Sequence, residues 1–301
     1  MRIVECVPNF SEGRRKEVID KIVEPFRNGK GFSLLDHRAD ENHNRLVVSL
    51  AGDPEAIMDA LMTSAGVAFS LIDMNAHTGA HPRVGALDVV PFTPLRGVTM
   101  EECVDIAREF GKRLNEKYEV PVYFYEEAAT RPERKNLENV RKGQYEGLKK
   151  AINEPERLPD VGQARLHPTA GATVVGARKF LVAFNVNLRS DDLDAAREIA
   201  RALRESSGGM KSVRAMGVRL AHRSIVQVSM NLTDWRTVSM RDAFLCVRDL
   251  AAGRGIDILE SELVGLAPRG AFGGATAEEL LLARFSEAKL IETHLPAGAA
   301  G

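Results

Sequence analysis

The chain has 301 residues, with 41 Lys and Arg set against 42 Asp and Glu and a formal net charge of −1. That balance speaks against a nucleic-acid or anionic-membrane partner, and 44% hydrophobic residues suffice for a sizeable core in two domains. The N-terminal MRIVECVPNF lacks the basic start and long apolar run of a secretory signal, and no other run approaches a membrane span, so a cytoplasmic protein is expected. Cys6, Cys103 and Cys246 are far apart and odd in number, and read as small apolar residues rather than a zinc or redox centre.

Taken in order, RIVECVP (2–8) reads as a strand. A helix follows from about Glu12, with Val18, Ile19, Ile22, Val23 and Phe26 on one face and Gly29 and Gly31 at its end. FSLLD (32–36) and NRLVVSLAG (44–52) read as strands, residues 53–73 as a helix capped by Asp53 with Pro54 at its first position, and ALDVVPF (86–92) as a further strand. The capping box Thr99-x-x-Glu102 opens the next helix, which leads to the strand VPVYFY (120–125). Residues 126–162 are charged, carry Pro132, Pro155 and Pro159, and are expected to hold at most short helices, with the domain connection after them.

The second half begins with a strand at 179–188 and a helix from Asp191 to about Ser206. Strands at 213–220 and 224–232 follow, then a helix capped by Ser239-x-x-Asp242 and a strand in GIDILESELVG (255–265). Both halves spell β-α-β-β-α-β. The expected class is α+β: two ferredoxin-like subdomains, 1–178 and 179–301, each an antiparallel sheet with helices on one face, and a ligand cleft or tunnel between them.

HTGAHPRVGALDVVPF (77–92) carries the chemistry. His77 and His81 have the spacing of a helical zinc motif, but Gly79 and Pro82 make this an extended loop, Thr78 stands where the motif needs Glu, and a third ligand such as Asp88 would have to be supplied; no metal is expected. His37, His77, His167, His222 and His294 read as hydrogen-bonded structural groups. His81, beside Arg83 in a backbone held by Gly79, Pro82 and Gly85, is an acid–base candidate, since imidazole exchanges protons near neutrality. DHRADENHNR (36–45) crowds acids with His43, Asn44 and Arg45, as a solvated turn or a site would. HPTAGATVVGARKFLVAFN (167–185) sets small residues ahead of a strand, as close approach to a flat or anionic ligand requires, or a domain-crossing turn.

These stretches, with VECVPNFSEG (4–13), VPVYFY, QVSMNLTD (227–234) and ELVGLAP (262–268), resemble the formiminotransferase family, the folate-dependent glutamate formimidoyltransferases. The length fits the stand-alone bacterial form, without the cyclodeaminase domain fused to it in animals. The resemblance implies transfer of a formimino group between N-formimidoyl-L-glutamate and N5 of tetrahydrofolate, the co-substrate, by a homodimer. It places the catalytic acid–base on His81, and a folate-contacting segment on Arg165, Leu166, His167, Pro168, Thr169, Ala170, Gly171, Ala172, Thr173 and Val174. The acid two residues beyond the Leu-Leu-Asp motif in animal members is Arg38 here; Asp40 and His43 fit the bacterial spacing, and Asp40 is the second catalytic candidate. Asn44, Arg45 and Arg83 are the substrate-binding candidates, the arginines for a carboxylate. Formyl transfer from 5-formyltetrahydrofolate to glutamate, a folate-binding protein without catalysis, and a metal-dependent hydrolase are the competing readings.

Overall fold

The computed structural model describes residues 2–220 and 223–294; His222 lies outside them. The chain divides into two compact units, one ending at Arg178 and the other starting at Lys179.

In the first unit, the opening strand is interrupted. β1 (Ile3–Cys6) and β2 (Asn9–Phe10) are separated by Val7 and Pro8, because proline has no N–H to give to a ladder. Then come α1 (Lys16–Arg27), β3 (Phe32–Asp40), β4 (Arg45–Gly52), α2 (Pro54–Leu71), β5 (Leu87–Arg96), α3 (Met100–Tyr118) and β6 (Val122–Glu126). Short helices α4 (Leu137–Val140) and α5 (Gln144–Ala151) precede β7 (Thr173–Ala177). The caps form as their sequences require: Asp53 accepts the Glu55 and Ala56 N–H groups, and Thr99 and Glu102 close a reciprocal box.

The seven strands form one sheet. β4 lies between β3 and the β1–β2 pair, β5 follows on the other side of that pair, and β7 and then β6 are added beyond β5. The β3-to-β5 part is antiparallel, but β7 pairs in parallel with both β5 and β6. The expectation of a purely antiparallel sheet with helices on one face is corrected here. The segment TVVGA, whose small residues suggested a ligand approach, is itself the central strand of a parallel extension. Parallel strands are buried on both faces, and the side chains alternate accordingly. Phe92, Val122, Phe124 and Val175 join the core with α1, α2 and α3. Val89, Tyr123, Tyr125 and Val174 join a second core with Val140, Leu148 and Ile152 from the charged stretch.

The second unit runs β8 (Val182–Leu188), α6 (Leu193–Leu203), β9 (Val213–Leu220), β10 (Ile225–Leu232), α7 (Met240–Ala252) and β11 (Ile258–Val264). Its four-stranded sheet has the order β11-β8-β10-β9 and is antiparallel throughout. Helix α6 packs on β9 and β10, and α7 on β8. Asp192 caps α6, and Ser239 with Asp242 boxes the start of α7. Among the described residues no helix is long and apolar enough to cross a membrane.

Candidate active site

The loop from α2 to β5 carries His77 and His81, and its shape is set by polar side chains. Arg83 is buried and spends all five N–H groups within the protein. Its Nε donates to His77 Nδ1 (3.2 Å), Nη1 to Gln144 Oε1 (3.0 Å) and Glu146 Oε2 (2.8 Å), and Nη2 to the His77 carbonyl (3.1 Å) and Glu146 Oε1 (2.6 Å). His77 Nε2 lies 3.1 Å from the Asn44 carbonyl, so that nitrogen carries the hydrogen while Nδ1 accepts from Arg83. Burial, and then the Arg83 charge, pushes the His77 pKa down, in keeping with this neutral tautomer. With both nitrogens engaged, His77 is a structural group and offers no metal ligand. Among the described residues no group of three or more His, Cys, Asp or Glu could hold a metal ion.

Asn44 ties three loops together. It sits at a φ of 49°, in the left-handed region, where asparagine is tolerated. Its Oδ1 accepts the Gly13 N–H (2.9 Å) and its Nδ2 donates to the Thr78 carbonyl (2.9 Å). Gly79 packs so closely that a Cβ there would sit 2.3 Å from the His43 carbonyl oxygen. Downstream, buried Asp88 accepts the Val84 N–H at 2.8 Å with one oxygen and an Arg141 Nη–H with the other.

His81 is half-buried in this frame, and its pKa is pushed down to about 4. Burial is the main cause, followed by the charges of Arg45 and Arg141 and then His43. The imidazole is therefore neutral at physiological pH and able to accept a proton. The His43 ring meets it edge-on, with centroids 6.0 Å apart and planes at 87°. Asp40 accepts the His43 backbone N–H at 2.8 Å and sits 2.9 Å from His43 Nδ1; these two bonds lower the Asp40 pKa and keep it a carboxylate. Asp40, the second catalytic candidate, thus holds His43. Arg45 donates Nε–H to Asn9 Oδ1 at 2.8 Å, and its Nη groups have no hydrogen-bond partner among the described residues. The Arg141 Nε is buried and likewise unpartnered among them.

The segment proposed for folate lies against the exit of the same loop. Gly85 and Gly171 form an isolated bridge, Ala86 N–H donates to the Ala170 carbonyl (2.8 Å), and Ala172 N–H to that of Val84 (3.1 Å). A Cβ on Gly85 would fall 1.9 Å from the Ala172 carbonyl oxygen, so only glycine fits. Ala170, Gly171, Ala172, Thr173 and Val174 are buried, and Thr173 Oγ1 is spent on the Leu87 carbonyl (2.8 Å). His167 accepts the Thr169 and Ala170 N–H groups on Nδ1 (3.3 and 3.0 Å) and stacks on Phe69. Surface accessible to a ligand is confined to Arg165, Leu166, His167, Pro168 and Thr169.

The structure therefore gathers His81, His43, Arg45, Arg141 and Asp88, and turns Arg83 and Asn44 inward. Arg141, Gln144 and Glu146 were not foreseen as part of this frame. A signal was present in the apolar spacing of Tyr145, Leu148 and Ile152, which marks an amphipathic helix within the charged stretch.

Known proteins resemble this chain along nearly its whole length. The Formiminotransferase domain, N-terminal subdomain, matches residues 3–178, and the Formiminotransferase domain matches 183–287. This chain belongs to the formiminotransferase family. Within the family, the glutamate formimidoyltransferase of Streptococcus pyogenes is 44% identical over 98% of this chain and 99% of its own length. That of Thermoplasma acidophilum is 42% identical over 97% of each. The mouse formimidoyltransferase-cyclodeaminase is 44% identical over 92% of this chain, which spans 52% of that longer protein.

Proposed function

We propose that this protein transfers a formimino group between N-formimidoyl-L-glutamate and N5 of tetrahydrofolate, a step of histidine degradation, with His81 as the acid–base group. The observation that carries the role of His81 is its neutral, half-buried imidazole beside two arginine cations, on a loop held by hydrogen bonds. End-to-end likeness to two glutamate formimidoyltransferases supports the reaction. Transfer joins N5 to the amidine carbon and then expels the glutamate nitrogen, which leaves only as a protonated amine. His81 takes the N5 proton as the new bond forms, and such proton transfer is worth about 10²–10⁴-fold in rate.

The free Nη fork of Arg45 holds a glutamate carboxylate, and the neighbouring Arg141 charge favours the same anion. Arg83 and Asn44, with their polar groups engaged by the protein, shape the loop and are not assigned to the substrate. Asp40 serves the site through His43. Residues Arg165 to Thr169 supply the contact surface for the folate, whose chemistry needs no metal. Each half is read as ferredoxin-like, which the order β11-β8-β10-β9 of the second unit and the β1-to-β5 portion of the first support. The family resemblance carries with it a cytoplasmic homodimer, and three unpaired cysteines suit a reducing compartment.

The test incubates purified protein separately with formimidoylglutamate plus tetrahydrofolate and with 5-formyltetrahydrofolate plus glutamate. Turnover of the first pair, lost in His81→Ala with folate affinity within a few-fold, is expected. Turnover of the second pair alone overturns the assigned group. Folate binding without either turnover overturns catalysis, and an active His81→Ala overturns the role of the histidine.

A further inference from the structure

We infer that His43, oriented by Asp40, is a second proton-transfer group of this site, delivering a proton to the departing nitrogen while His81 takes one from the incoming nitrogen. The inference rests on the formimino-transfer reading and adds a residue to it. Three observations carry it. The two rings meet edge to face with centroids 6.0 Å apart. Asp40 grips His43 at two points, backbone N–H and Nδ1, which orients the ring and sets a carboxylate behind it. The remaining ring nitrogen, Nε2, has no hydrogen-bond partner among the described residues, although the turn around it is otherwise tightly bonded.

Chemistry supplies the reason for two imidazoles. In the tetrahedral intermediate the entering and leaving nitrogens are attached to the same carbon, roughly 2.4 Å apart by ordinary bond lengths and angles. A single ring serving both must release one nitrogen and swing to the other, whereas His81 is set in a loop pinned at Arg83 and Asp88. Two rings at this spacing can each face one nitrogen. As the N5–carbon bond forms, the N5 proton passes to His81; as the carbon–nitrogen bond to glutamate breaks, its electron pair takes the proton from His43 Nε2. His81 then loses its proton and His43 regains one through solvent, so the cycle closes with no net proton change. In the reverse direction the roles exchange. The geometry divides the work between the rings: one imidazole lies beside Arg45 and Arg141, and the other is held by a carboxylate.

The experiment measures steady-state kinetics of the full chain and its variants with formimidoylglutamate and tetrahydrofolate. His43→Ala is expected to lower kcat about 10²-fold with both KM values within threefold, and added imidazole is expected to restore at least a tenth of the lost rate. Asp40→Asn is expected to lower kcat about tenfold, because an amide can present N–H to Nδ1 and favour the wrong tautomer. In the double variant Asp40→Asn adds nothing to the loss from His43→Ala. A His43→Ala enzyme within threefold of the wild-type kcat overturns the inference. So does a loss confined to KM, or one that imidazole does not relieve. Should the wild type itself fail to transfer the group, the functional reading fails instead, and the two failures are distinguished by that control.

Discussion

The most exposing prediction concerns pH. His81 has a pKa of about 4 rather than the ordinary 6.5 because burial and two guanidinium charges oppose its protonation. At pH 5.5 an imidazole with that pKa is roughly 97% neutral, whereas an unperturbed one is roughly 9% neutral, a difference of about tenfold in the competent base. The histidine Cε1–H resonance assigned by its loss in His81→Gln should therefore titrate near pH 4. Replacing Arg45 with Gln should move that midpoint upward, since one of the opposing charges is gone. NMR titration is preferred to a rate profile because protonation of the folate N5 also enters kcat/KM. The sign for stability follows from the same shift. Between about pH 6.5 and 4 the unfolded chain binds a proton that folded His81 refuses, so this group's contribution is complete above 6.5 and vanishes as pH falls through 4. The full shift would correspond to about 3 kcal/mol, and partial solvent exposure reduces that to about 1–2 kcal/mol. A midpoint at 6 or above, or one unmoved by Arg45→Gln, refutes the electrostatic reasoning.

Three further outcomes are expected. Glu146→Gln should destabilise the protein by about 1–2 kcal/mol in urea unfolding, since buried Arg83 loses its counter-charge, while the 60% exposure of the Glu146 side chain limits the loss. With a Glu146 pKa of about 2, the wild-type advantage should be whole above pH 4.5 and fade as pH falls through 2. Gly79→Ala should cost about 1–3 kcal/mol and depress kcat, because the added methyl must push the His43 carbonyl away from 2.3 Å. Asp160→Asn should cost about 3–5 kcal/mol by breaking the buried pair with Arg134 (2.5 Å), yet leave kcat per folded molecule unchanged.

The elements that announce themselves locally were legible in the sequence. Asp53-Pro54, Thr99-x-x-Glu102 and Ser239-x-x-Asp242 each start a helix as expected, because a cap is an exchange among neighbours three residues apart. The two β-α-β-β-α-β runs were legible because the period of the apolar residues is also a local signal. What escaped was decided by distant partners. TVVGA has too few large side chains to stand out, and becomes a strand because β5 and β6 offer it ladders on both sides. Arg141 looks solvated in a charged run, and only the fold brings it to Asp88. Asp88 stands out in the sequence only as a third metal ligand, whereas in the fold it holds the Val84 N–H and Arg141. In the candidate site, the loop of His81 stands out by its glycines and proline, but the grip of Asp40 on His43 depends on the turn between β3 and β4, whose rotamers no pattern specifies.

The inward-turned Arg83 and Asn44 have a thermodynamic consequence for ligand capture. Ordering a residue's backbone costs about 1–2 kcal/mol, and a wall that became rigid only around its substrate would subtract that cost from affinity. Here the cost is met when the chain folds, so preorganisation leaves the contacts of an arriving glutamate free to stabilise the reacting geometry.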